Sequence, residues 1–158
     1  MTKECKQQFT LRISQANSTE MVVILYEMLL CYLDEAQEAL KLPEFTAFKE
    51  AVRKVRGCLN ELMRSLNMEY EPAPALLQLY LYCIRRLAHG EFHKEEQDLL
   101  HIRSVILPLK DAYAQIAGQN TQGPVMNHSQ TVYAGLTYGR NTLTENMTDQ
   151  GANRGMLA

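Results

Sequence analysis

The stretch Asn17-Ser18-Thr19-Glu20-Met21-Val22-Val23-Ile24-Leu25-Tyr26-Glu27-Met28-Leu29-Leu30-Cys31-Tyr32-Leu33 decides the fold of this chain. Asn17 can cap a helix, and Glu20, three residues on, can reach back to the cap, so a helix starts sharply at Ser18. Met21, Leu25, Met28, Leu29, Tyr32, Leu33, Ala36 and Leu40 then recur at helical spacing and define a broad core face as far as Lys41. Pro43 closes the helix, because proline lacks the amide that a helix interior uses.

Downstream, the same period returns three times. A second helix is predicted over Glu44–Asn67, with Phe48, Val52, Val55, Leu59, Leu62, Met63 and Leu66 on one stripe and charges opposite. Pro72 and Pro74 mark a third start, since proline is tolerated in the first helical turn. That helix is expected to end at His89-Gly90, with Gly90 as a left-handed cap. A fourth runs from about His93 to Ala117, with a kink expected where Pro108 frees the Ser104 carbonyl. Four segments joined by short links predict an all-α, antiparallel up-down-up-down four-helix bundle over 18–117.

Residues 1–17 form an N-terminal arm in which Phe9, Leu11 and Ile13 alternate with polar neighbours, the pattern of an extended segment with one apolar side. From 118 to 158 the composition turns to Asn, Gln, Thr and Gly, a polar tail either partly docked or disordered. Within it, Val132, Tyr133, Leu136 and Tyr138 concentrate the apolar and aromatic residues. They are candidates for a built-in mimic of a bound partner.

Two helices carry more apolar surface than one core face needs. Val23, Tyr26 and Leu30 form a second stripe on the first helix. The third has Leu76, Leu77, Tyr80, Cys83, Ile84 and Leu87 inward, with Leu79 and Tyr82 on another side. Apolar faces of that kind must be covered, by the arm or tail, by a second copy, or by a partner helix docking at i, i+3, i+4 and i+7. A displaceable arm reconciles these options, with Phe9, Leu11 and Ile13 as the lid.

Chemistry finds little purchase. At 158 residues the chain suits one core, and its net charge of −2 with interspersed signs leaves no footprint for nucleic acid. No run suits a membrane span or a signal peptide, so neither insertion nor secretion is expected. Cys5, Cys31, Cys58 and Cys83 lack ligand spacing and read as cytosolic thiols. His89 and His93 are not expected to share a face across Gly90, and Asp98-x-x-His101 alone does not make a di-iron site. No catalytic residue, metal or cofactor is expected.

The run Ala16 to Glu27, with its capped start and closing Leu25-Tyr26-Glu27, resembles the opening of the flagellar export chaperones of the FliS family. Leu79-Tyr80-Leu81-Tyr82-Cys83-Ile84-Arg85-Arg86-Leu87 resembles that family's paired-tyrosine segment before a basic pair. Ser18, Met28, Leu81 and Tyr113 stand where the family more often has proline, glycine, aspartate and tryptophan. The resemblance covers about residues 5 to 117. It implies a cytoplasmic chaperone that binds the C-terminal segment of flagellin and prevents its polymerisation before export. Val23, Tyr26, Leu30, Leu79, Tyr82 and Arg86 are the expected contacts. It leaves room for other flagellar regulatory proteins as partners and for a homodimer of the free protein. The alternative function is a helical-bundle adaptor or regulator of a different protein.

Overall fold

A computed structural model describes residues 3–42 and 45–125. Among them are five helices and no strand: α1 (Lys3–Gln15), α2 (Ser18–Lys41), α3 (Phe45–Arg64), α4 (Ala73–His93) and α5 (Glu96–Ala117). The start of α2 is built as its sequence requires. The Asn17 side chain accepts from the Glu20 amide at 2.9 Å, and Glu20 Oε2 accepts from the Asn17 amide at 2.9 Å, which satisfies two otherwise orphaned donors.

Helices α2 to α5 form a ring in which α2 packs on α3 and α5, and α4 packs on the same two. Leu29, Leu33 and Ala36 of α2 meet Phe48, Val52, Val55 and Leu59 of α3. Tyr80, Cys83 and Leu87 of α4 and Leu99, Ile102 and Ile106 of α5 close the core. The links between consecutive helices are short, which makes neighbours antiparallel. The all-α bundle is thus as the apolar periodicity predicted.

Two expectations are corrected. The arm is helical rather than extended: Cys5, Phe9 and Ile13 fall at i, i+4 and i+8, a helical stripe that the alternation of Phe9, Leu11 and Ile13 conceals. Gly90 does not end α4. The helix continues to His93, and Lys94 takes the left-handed conformation (φ 58°) instead. Gly90 is needed for space, since a Cβ there would sit 2.9 Å from the Asp98 Cβ. Helix α5 is continuous through Pro108, which lies on an exposed side.

The chain after α5 turns back toward the start of α2. Asn120 Nδ2 donates to Thr19 Oγ1 at 2.8 Å, the Asn17 amide nitrogen Nδ2 donates to the Asn120 carbonyl at 3.3 Å, and the Val125 amide donates to the Ala16 carbonyl at 3.0 Å. Residues 120–125 therefore brace the joint between α1 and α2. Val132, Tyr133, Leu136 and Tyr138 lie outside the described residues.

Candidate functional site

Helix α2 has two apolar faces because it has more than two neighbours. Its inner face is shut against α3 and α5. A second face, offset around the helix, carries Met21, Ile24, Met28 and Cys31 at i, i+3, i+7 and i+10. Cys5, Phe9, Ile13 and Ala16 lie on it, forming an apolar cluster drawn from α1, α2 and their joint, with Met28 also touching the bundle core. Phe9 and Ile24 are buried there, whereas Cys5, Ile13, Met21 and Met28 are half-buried.

The polar dressing of this contact is thin. Arg12 pairs with Glu27 of α2 at the edge and places its guanidinium 5.7 Å from the centre of the Phe9 ring. The hydrogen bond to Glu27 holds the Arg12 guanidinium above its ordinary range. Full burial of a phenylalanine is worth about 1.5–3 kcal/mol. Ordering even one backbone residue costs about 1–2 kcal/mol. A single short helix held by one buried ring and several half-buried aliphatic and sulfur side chains therefore sits near the margin of docking.

The structure places the other sequence-predicted residues as follows. Phe9 and Ile13 pack against α2, but Leu11 points away and is 56 % exposed. On a helix, residues two apart face nearly opposite ways, whereas on an extended chain they share a side. Val23 and Tyr26 are buried, Tyr26 completely, so neither forms an outer stripe, and Leu30 packs on the bundle core. The spare face of α2 is the neighbouring one, Met21-Ile24-Met28-Cys31. Both stripes obey the helical period, so only the positions of α3 and α5 distinguish them.

On α4, Leu79, Tyr82 and Arg86 follow one another at i, i+3 and i+7. Leu79 is 38 % exposed, while Tyr82 and Arg86 are half-buried. The Tyr82 hydroxyl accepts from Arg86 Nε at 3.1 Å, and the guanidinium lies 5.5 Å from the ring centre. This strip presents an apolar residue, an aromatic ring and a cation side by side.

Neither the tyrosines nor the thiols of the core are arranged for reaction. The Tyr26 and Tyr80 hydroxyls share a hydrogen bond, and the Tyr113 ring stands edge-on to Tyr26 at 5.7 Å. Burial pushes the Tyr80 phenol up to about 12 and Tyr26 further still, so both remain protonated. Burial likewise pushes Cys58 and Cys83 up to about 11.

A buried carboxylate lies at the α4–α5 joint. Asp98, almost fully buried, accepts from Arg86 at 3.2 Å and lies 2.7 Å from His89 Nδ1. Burial alone would raise its pKa, but the bonds to His89 and Arg86 outweigh that and hold it below the usual aspartate range. Contrary to the sequence expectation, His89 and His93 do share a face, their rings 4.1 Å apart, because α4 continues through Gly90. His89, Glu95 and Asp98 offer ligand atoms within 4.8 Å of one another. A cation could take them only by displacing His89 from Asp98, and as built the group ties two helices together.

Among the described residues, no helix is long and apolar enough to cross a membrane. A family model described as Flagellar protein FliS matches residues 1–120. No curated protein matches the chain.

Proposed function

This chain belongs to the FliS family of flagellar proteins, a family of flagellar export chaperones, and from that premise we propose that it captures the C-terminal segment of flagellin and keeps it from polymerising before export. The observation that carries this reading is the cover on α2. A marginally held helix, α1, shields the apolar face Met21-Ile24-Met28-Cys31, and a client segment able to bury that face more fully can replace it. The half-open strip Leu79-Tyr82-Arg86 on α4 is a second place for the segment to lie.

Capture of a disordered segment fits such surfaces. Folding on binding loses about 2–5 kcal/mol to ordering and needs on the order of 1,000–3,000 Å² of burial, more than one groove provides. Wrapping around the bundle spreads the contact over α2 and α4. The tail segment Val132-Tyr133 to Leu136-Thr137-Tyr138 is a candidate competitor for the same surface.

The test is titration calorimetry of the full chain with flagellin and with flagellin lacking its C-terminal segment, joined to hydrogen exchange of α1. Binding lost with the truncation, and faster exchange in α1 when the client is bound, are the expected results. Equal affinity for both flagellins would sink the reading. Retention of some other protein, with flagellin ignored, would favour the adaptor alternative.

A further inference from the structure

The cover on α2 contains a pair of thiols that the chaperone reading does not use. Cys5 of α1 and Cys31 of α2 pack against the same apolar cluster. Both also line a surface cavity of about 600 Å³ shared with Asp34, Glu35, Glu38, Glu50 and Lys54, so small solutes can reach them. The other two cysteines, Cys58 and Cys83, are buried in the bundle core. We infer that Cys5 and Cys31 are a reversible oxidation site whose disulfide pins α1 onto α2. The locking consequence rests on the reading of α1 as a displaceable cover.

The reaction is thiol–disulfide exchange with a low-molecular-weight disulfide. The Cys5 thiolate attacks one sulfur of the reagent, forming a mixed disulfide and expelling one small thiolate. The Cys31 thiol, having lost its proton to solvent, attacks Cys5 Sγ and expels the second small thiol. In sum, two protein thiols are oxidised to one disulfide and one reagent disulfide is reduced to two thiols. The acidic rim of Asp34, Glu35, Glu38 and Glu50 selects a neutral reagent over an anionic one.

The geometry makes the consequence large. The apolar cluster that seats α1 draws on α2 and their joint, so undocking of α1 opens that cluster. A bond between residues 5 and 31 converts that opening into strain on a closed loop. The bond requires a movement of α1 over α2 that brings the two sulfurs to bonding distance.

The experiment treats the reduced full chain with hydroxyethyl disulfide in the absence of any client. The expected product has lost two alkylatable thiols, maps to a Cys5–Cys31 linkage, reverts with dithiothreitol, and shows α1 amide exchange slowed by at least about tenfold. Cys5→Ser and Cys31→Ser each abolish the linkage, whereas Cys83→Ser retains it. A mixed disulfide that stops at Cys5, a bridge between two copies, or unchanged α1 exchange in the linked protein would overturn the inference. Client affinity of the reduced Cys5→Ser chain tests the chaperone reading separately, since that variant cannot form the bond.

Discussion

The two helix junctions that flank the bundle are built on opposite principles. At the α4–α5 joint, Gly90 lets the backbones approach until no Cβ would fit, Lys94 makes the tight left-handed turn, and a buried carboxylate is held by Arg86 and His89. At the α1–α2 joint a short apolar stripe and the exposed Arg12–Glu27 pair hold the helices, and hydrogen bonds from residues 120–125 brace the turn. The first contact tolerates no alternative arrangement, because releasing it leaves a charge or a steric hole. The second loses only area when it opens, and area can be replaced by another chain. Displaceability therefore follows from what a contact leaves behind.

The sharpest way to break this contrast is Gly90→Ala. Alanine favours helix by about 1 kcal/mol over glycine in an exposed interior, but here its Cβ meets Asp98. The overpacking term of about 1–3 kcal/mol should win, giving a lower urea midpoint with an unchanged slope. Stabilisation by this substitution would show that the close approach is not a constraint.

Phe9→Ala probes the other junction. It should speed amide exchange throughout α1 by about tenfold, equivalent to about 1.4 kcal/mol, while leaving exchange in α3 and α5 and the global urea midpoint almost unchanged. Client affinity should rise several-fold, because the competent state no longer waits for the cover to open. A matching loss of global stability would mean that α1 is part of the cooperative core.

Acid separates the junctions next. The Asp98 pKa is lowered by folding, so its contribution is present above the ordinary aspartate value of about 3.9 and is lost as the pH falls through the lower folded value. Stability should therefore decline below about pH 4, and less so in Asp98→Asn. The slope should be modest, since Arg86 and His89 are nearly half-exposed and water screens them. The smallest effect belongs to Arg12→Ala, which removes an exposed pair worth about 0.2–1 kcal/mol at most, read as a slight rise in α1 exchange that salt diminishes in the parent chain.

Much of this was legible beforehand. The Asn17–Glu20 capping box, the bounds of α2 and the single stripe of α3 all follow from local rules, and the structure repeats them. Other readings failed for identifiable reasons. Phe9, Leu11 and Ile13 satisfy a two-residue period by coincidence, while Cys5, Phe9 and Ile13 satisfy the helical one; cysteine's small size hid it as an apolar anchor. The second stripe of α2 was expected at Val23-Tyr26-Leu30 and lies at Met21-Ile24-Met28-Cys31. The value of Gly90 lies in its missing side chain rather than in backbone freedom, because what it makes room for is Asp98, eight residues on across the joint.

By itself the amino-acid sequence determined that there would be long amphipathic helices, where the capped one begins, and that α2 carries more apolar surface than one face can bury. Those properties belong to residues a few positions apart on one chain, where period and capping chemistry suffice. Only the tertiary structure decided which stripe of α2 faces the core, what covers the other, that Cys5 meets Cys31, and that Gly90 yields to Asp98. Each of these depends on a neighbour distant in sequence, and no local period encodes the direction from which that neighbour arrives.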